Sequence, residues 1–247
     1  MSMLAAQVIL HPTVSDGLKV LSTTLGRDKV YRAIQFFARF LAWYLISRGQ
    51  SLEAARWNAL KNHLGTARKL LRLGKPVEHL QAALRTAQTT GEIKEQVTMI
   101  GRQLGYFGFL AYDALVWANA IRFITLKPDT AKAVNKTSNR FWLAGITFSI
   151  LHCIFKTARL TSEAQALRFA DEKDIGGDNV RQTRLYGLNA VRNATRRQLL
   201  MDVLDFWIPA ANLELVHFND GFLGLCGLAT SLLALQAQWG SITSAKK

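Results

Sequence analysis

Residues 221–239 read GFLGLCGLATSLLALQAQW, nineteen consecutive positions without a charged side chain. Wound as an α-helix they extend about 28 Å, close to the thickness of bilayer hydrocarbon. This stretch predicts a membrane-spanning helix and sets the reading of everything upstream. A second candidate lies at 141–158, charge-free from Phe141 to Phe155 and flanked by Arg140 and Lys156, whose long stems let their charges reach outward to water. It is short for a span, and a buried helix of a soluble core fits this piece as well. A third candidate, 104–124, has the length but carries Asp113 and Arg122. Either charge is expensive at mid-membrane, so a membrane-proximal or partly inserted helix is expected there. The polar stretch 127–140, with Pro128, Lys132 and Lys136, reads as a loop.

The composition supports helices throughout. Of 247 residues 49% are hydrophobic and only four are Pro, which suits long helices and argues against a β-rich sandwich. The expected fold is all-α: a helical integral membrane protein with N-terminal amphipathic helices and C-terminal membrane-embedded helices. The division expected from charge and hydropathy is a basic amphipathic region over 1–92 and a membrane-associated region over 93–247. Cys153 and Cys226 sit in apolar runs, where a thiol packs as a small hydrophobe.

At the N-terminal end Val14, Leu18, Leu21 and Leu25 step four, three, four and predict a helix ending near Gly26. Asp28 is placed to cap a second helix, with Tyr31, Ile34, Ala38, Leu41 and Leu45 on one stripe, and Phe36, Phe37, Phe40, Trp43 and Tyr44 widening it. A third helix is expected over 56–73. Trp57, Leu60, Leu64, Ala67 and Leu71 line one side, while Lys61, Arg68, Arg72 and Lys75, with Lys69 and His63 nearby, line another; Gly74 and Pro76 end it. Such a helix can lie on a bilayer with its basic face at the phosphates, and an ordinary surface helix packed on a neighbour shows the same pattern.

Charge narrows the class of partner. Residues 1–75 hold twelve Lys or Arg against Asp16, Asp28 and Glu53, a net +9, which attracts nucleic acid or an anionic membrane. A soluble nucleic-acid binder leaves 221–239 unexplained and no nucleic-acid motif is present, so an anionic phospholipid membrane is the expected partner and nucleic acid is not. The stretch 159–220 is nearly neutral, eight Lys or Arg against nine acids. If 141–158 and 221–239 both span, the positive-inside tendency places both termini in the cytosol. Gly101 with Gly105, and Gly227 with Ser231, are small-residue pairs of the kind that support helix association and hence self-association. The five His residues are scattered, without HExxH, Cys/His metal spacing or a nucleophile elbow, so no catalytic residue, metal or cofactor is expected.

Four stretches carry a family resemblance. Asp28-Lys29-Val30-Tyr31-Arg32 followed by Gln35-Phe36-Phe37-Ala38-Arg39-Phe40 resembles the N-terminal helix of the peroxin-11 family, and Arg68-Lys69-Leu70-Leu71-Arg72-Leu73-Gly74-Lys75 resembles its most recognisable stretch. Tyr112-Asp113 with Trp117, and Asn219-Asp220-Gly221 through Leu225, Gly227 and Ser231, are similar to later motifs of the family in the same order. The resemblance implies a peroxisomal membrane protein that elongates and multiplies the organelle. It further implies self-association and an association with dynamin-related fission machinery. On this likeness Trp57, Leu60, Leu64 and Leu71 face lipid, while Lys61, Arg68, Lys69, Arg72 and Lys75 meet headgroups. A channel for small metabolites is the alternative it implies, with Asp113, Arg122 and His152 as groups along the pathway.

Overall fold

The computed structural model describes residues 7, 9–169 and 178–244. The described residues include the helices α1 (Pro12–Ser22), α2 (Thr24–Ser47), α3 (Ser51–Leu70), α4 (Lys75–Gln88), α5 (Ile93–Ala120), α6 (Pro128–Phe169), α7 (Asp178–Asn212) and α8 (Asp220–Ser244). No strand occurs among the described residues. The helices form two compact units that interleave along the chain, whereas the division at 92/93 follows charge and hydropathy. One unit joins the chain up to Gly74 with Asp113–Ala131 and the part from Glu214 onward; the other holds Lys75–Tyr112 and Lys132–Leu213.

In the first unit α8 lies antiparallel on α2 through a row of glycines. Gly221, Gly224 and Gly227 seat Trp43, Phe40 and Phe36 respectively. A Cβ on Gly224 would fall 2.7 Å from the Phe40 backbone nitrogen, so this close approach depends on glycine. The next small residues, Thr230 and Ser231, are buried, and Arg32 donates to the Thr230 hydroxyl at 2.9 Å. At the other end of the contact Arg39 holds Asp220 at 2.6 Å. Helix α3 packs on the other side of α2.

The second unit repeats the device. Gly101, Gly105 and Gly108 of α5 meet Phe148, Gly145 and Phe141 of α6, and Phe109 stacks on Trp142 with ring centroids 5.0 Å apart. Its interior also holds paired polar groups. Ser149 donates to Asp202 at 2.5 Å, Asn212 donates to Asn139 at 2.8 Å, and His152 approaches the Glu95 carbonyl at 3.1 Å. Inter-helix hydrogen bonds of this kind hold helices together where water is excluded. Both small-residue pairs singled out in the sequence are therefore occupied by contacts within the chain.

Helices α6 and α8 are long and apolar enough to cross a membrane, and less than half of each apolar segment is buried. They contain the expected spans 141–158 and 221–239. The stretch 127–140, expected as a loop, is instead the start of α6. Pro128 stands at the first helical position and Asp129 in the first turn, both favourable at a helix start because the first amides need no partner and the dipole welcomes an acid. The candidate span 104–124 stops at Ala120, and Arg122 takes a left-handed φ of 61° in the turn that follows. The second helix begins four residues before the expected cap: Thr23, whose side chain accepts from the Gly26 amide, is the N-cap, and Asp28 is inside the helix and buried. The third helix ends at Leu70 with a turn through Gly74, so Leu71, Arg72 and Lys75 lie beyond it. Helix α7, from Asp178 to Asn212, holds Pro209 inside it; residues 170–177, ahead of it, lie outside the described residues.

Overfilling the α2–α8 seam tests the packing. Gly224→Leu is expected to lower stability by about 1–3 kcal/mol or more, read as a reduced thermal midpoint of the detergent-solubilised protein, while Gly187→Ala, with nothing within 4 Å of the added carbon, leaves the midpoint unchanged or slightly raised.

Candidate membrane-contacting site

Helix α3 opens with Glu53 in its first turn and closes with Arg68 and Lys69 in its last, the arrangement the helix dipole favours. Its apolar side is only partly offered to the outside. Leu60 is exposed, whereas Trp57 is half-buried in an edge-on contact with Phe37, ring centroids 5.9 Å apart, and Leu64 is also half-buried. Leu71, just past the helix, is half-buried. Three apolar side chains outside the expected set, Leu52, Leu70 and Leu73, are exposed as well.

The cations are arranged differently from a free basic face. Arg68, expected at headgroups, is 8% exposed. It donates to Asp28 at 3.0 Å and to the Gln35 side chain at 2.7 Å. Lys69 and Arg72 share the carboxylate of Asp113, Arg72 from 3.1 Å. Lys61 donates to Asn58 at 2.8 Å, and Lys75 pairs with Glu78 at 2.8 Å in the first turn of α4. As folded, the cations meant for phosphates turn toward carboxylates. The reason is that two acids, Asp28 and Asp113, are buried, and a buried charge left unpaired is far more costly than one brought together with its opposite.

The electrostatics follow. Burial alone would raise the Asp28 carboxyl, but the adjoining Arg68 guanidinium, with Arg72 and Lys29 behind it, holds it below its ordinary value of 3.8. Burial pulls Arg68 down to about 9, which leaves it protonated at neutral pH. Burial likewise lowers the Lys69 ammonium, against the pull of Asp113. The signal that would have found these pairs is in the sequence: Asp28 is one of three acids among the first 75 residues, and Asp113 stands in an apolar run.

Among the described residues no group of His, Cys, Asp or Glu is placed to hold a metal. What α3 presents is a cationic segment with each of three charges held by a carboxylate, edged by exposed Leu52, Leu60 and Leu70.

Residues 14–239 match the family model for peroxisomal biogenesis factor 11 (PEX11). The chain is 30% identical to peroxisomal membrane protein PMP27 of Saccharomyces cerevisiae, across 96% of this chain and 99% of that one. It is 27% identical to peroxisomal membrane protein PMP30A of Candida boidinii, across 97% and 99%, and 25% identical to peroxisomal membrane protein 11B of Homo sapiens, across 85% and 91%. No solved structure matches.

The Asp28–Arg68 pair gives a pH test. A carboxylate with a depressed folded pKa contributes stability that is whole above its unfolded value and is lost as pH falls through the lower folded one. The thermal midpoint is expected to hold at neutral pH and to drop below pH ~4. Asp28→Asn leaves Arg68 buried with Gln35 alone, so it is expected to lose about 3 kcal/mol at neutral pH and to show a flatter acid limb.

Proposed function

Because the chain belongs to the PEX11 family of peroxisomal membrane proteins, which act in peroxisome biogenesis and proliferation, we propose that it elongates the peroxisomal membrane by seating α3 in the cytosolic leaflet. The observation that carries this reading is the pairing of the cations at the end of α3 and in the turn that follows it. Arg68, Lys69 and Arg72 are held by carboxylates, and lipid phosphate offers the same acceptor chemistry, bidentate to Arg. At an anionic surface each cation contributes about 1 kcal/mol, and the exposed Leu52, Leu60 and Leu70 add apolar area that sinks to the acyl boundary.

In this reading α3 and the turn that follows it leave Asp28 and Asp113, turn Trp57, Leu60, Leu64 and Leu71 to the acyl chains, and present Lys61, Arg68, Lys69, Arg72 and Lys75 to headgroups. Volume added to one leaflet expands it against the other and favours curvature. The spans α6 and α8 anchor the chain, with both termini on the cytosolic side where the basic N-terminal third faces the anionic leaflet. Self-association and recruitment of dynamin-related fission machinery complete the proposal. Since the small-residue pairs on α5 and α8 are filled by contacts within the chain, self-association uses other surfaces.

A peptide covering residues 56–75 is expected to become helical with anionic vesicles and to draw them into tubes, followed by circular dichroism and electron microscopy. The Leu64→Glu/Leu71→Glu peptide is expected not to bind. In the full chain, Asp113→Asn removes the carboxylate that Lys69 and Arg72 share and should tighten binding to anionic vesicles on the order of tenfold. A disordered wild-type peptide and round vesicles would assign α3 to packing alone.

A further inference from the structure

Helix α1 carries an apolar face that the described residues leave exposed. Val14, Leu18 and Leu21 of α1 and Leu25 at the start of α2 are 38%, 60%, 40% and 39% exposed, and Leu10 just before α1 is 77% exposed. Within α1 Val14, Leu18 and Leu21, spaced four and three, share one outward face, and Leu10 and Leu25 are exposed just beyond its two ends. The opposite side of α1 is turned inward. Asp16 and Val20 are buried, and Gly17 lies against the Trp239 ring near the end of α8.

The direction of this stripe is built into the corner between α1 and α2. Thr23 accepts from the Gly26 amide at 3.0 Å and donates to the Val20 carbonyl at 2.9 Å. Arg27 reaches back to cap the last turn of α1, donating to the Leu21 carbonyl at 2.8 Å and the Ser22 carbonyl at 3.3 Å. A Cβ on Gly26 would fall 2.8 Å from the Thr23 hydroxyl, so the sharp turn requires glycine at that position. Side-chain and backbone bonds thus hold α1 at a set angle to α2 and keep its leucines facing away from the unit.

Where the stripe points decides its partner. Trp239 closes the charge-free run of α8, and an aromatic ring at the end of a span belongs at the headgroup level. A helix packed on that ring shares its depth. We infer that α1 is an interfacial helix, its face of Val14, Leu18 and Leu21 lying in the acyl boundary of the leaflet where α8 ends. Thr13, Ser15 and Lys19 flank the stripe and meet headgroups, since an amphipathic helix at the interface sinks about 5–10 Å. A second copy of the chain suits the stripe less well: an 11-residue helix is about 16 Å long and falls well short of the roughly 800 Å² per partner of a stable protein interface. The inference rests on α8 as a span and is independent of whether α3 leaves its ion pairs. It gives the chain a fixed lipid contact at α1 beside the exchangeable one at α3.

The test uses the full chain reconstituted in phosphatidylcholine–phosphatidylserine vesicles, with Cys153→Ala and Cys226→Ala as background. An environment-sensitive fluorophore is placed at Leu18→Cys, Lys19→Cys or Leu60→Cys in turn. The expected result is a blue-shifted, brighter label at position 18, quenched by lipid spin-labelled near the headgroup and spared by aqueous iodide, with the label at 19 quenched by iodide. Equal iodide quenching at 18 and 19 would place the stripe in water and overturn the inference. Protection from both quenchers, with the unlabelled Leu18→Cys chain forming disulfides between copies under oxidation, would overturn it in favour of a protein partner. The label at position 60 reports on α3 by itself: lipid contact at 18 and none at 60 supports the α1 inference while removing the proposed role of α3.

Discussion

Every charge that leaves water in this chain must bring a partner with it, and the positions of the helices follow from that constraint. An unpaired ion in an apolar setting is so unfavourable that the acids and cations of the first unit are brought together. Asp28 takes Arg68, Asp113 takes Lys69 and Arg72, Asp220 takes Arg39, and the Thr230 hydroxyl accepts from Arg32. Two of these contacts join α2 to α8 and one joins α2 to α3. A strongly basic N-terminal third can therefore lie along an apolar C-terminal helix without presenting its cations to lipid.

Glycine provides the other half of the arrangement. Between helices in lipid there is little hydrophobic drive, so close packing has to come from small residues. The row Gly221, Gly224, Gly227 admits Trp43, Phe40 and Phe36 to the surface of α8, and Gly101, Gly105 and Gly108 do the same for α5 and α6. In both seams the aromatic ring fills the space that a side chain on the facing helix would need. Outer faces remain apolar: Phe222, Leu225 and Leu232 of α8, and Leu151 and Ile154 of α6, are exposed, as lipid-facing positions should be.

Much of this was legible in the sequence, for identifiable reasons. The all-α class and the two helices long and apolar enough to cross a membrane, which contain 141–158 and 221–239, follow from local periodicity and composition, which need no tertiary information. The stretch 127–140 was misjudged because Pro128 and three polar neighbours suggest a loop, while the same proline at a first helical position initiates a helix. The ion pairs of the candidate site were hidden for another reason. Arg68 and Asp28 are forty residues apart, and Lys69 and Asp113 forty-four; pattern along one helix shows which side is cationic but not which carboxylate on another helix will face it. The exposure of Leu18 and Leu21 was likewise beyond periodicity, which marks a stripe as apolar without saying whether protein or lipid covers it.

The full chain reconstituted into vesicles of graded phosphatidylserine content, with vesicle shape followed by cryo-electron microscopy, tests most directly whether this protein bends membranes through its basic face. Tubes that lengthen as the anionic lipid fraction rises, and that revert to spheres when salt screens the surface, are the predicted result. Vesicles that stay round at every composition while retaining the inserted protein would contradict it, and would leave the ion pairs of α3 as permanent parts of the fold.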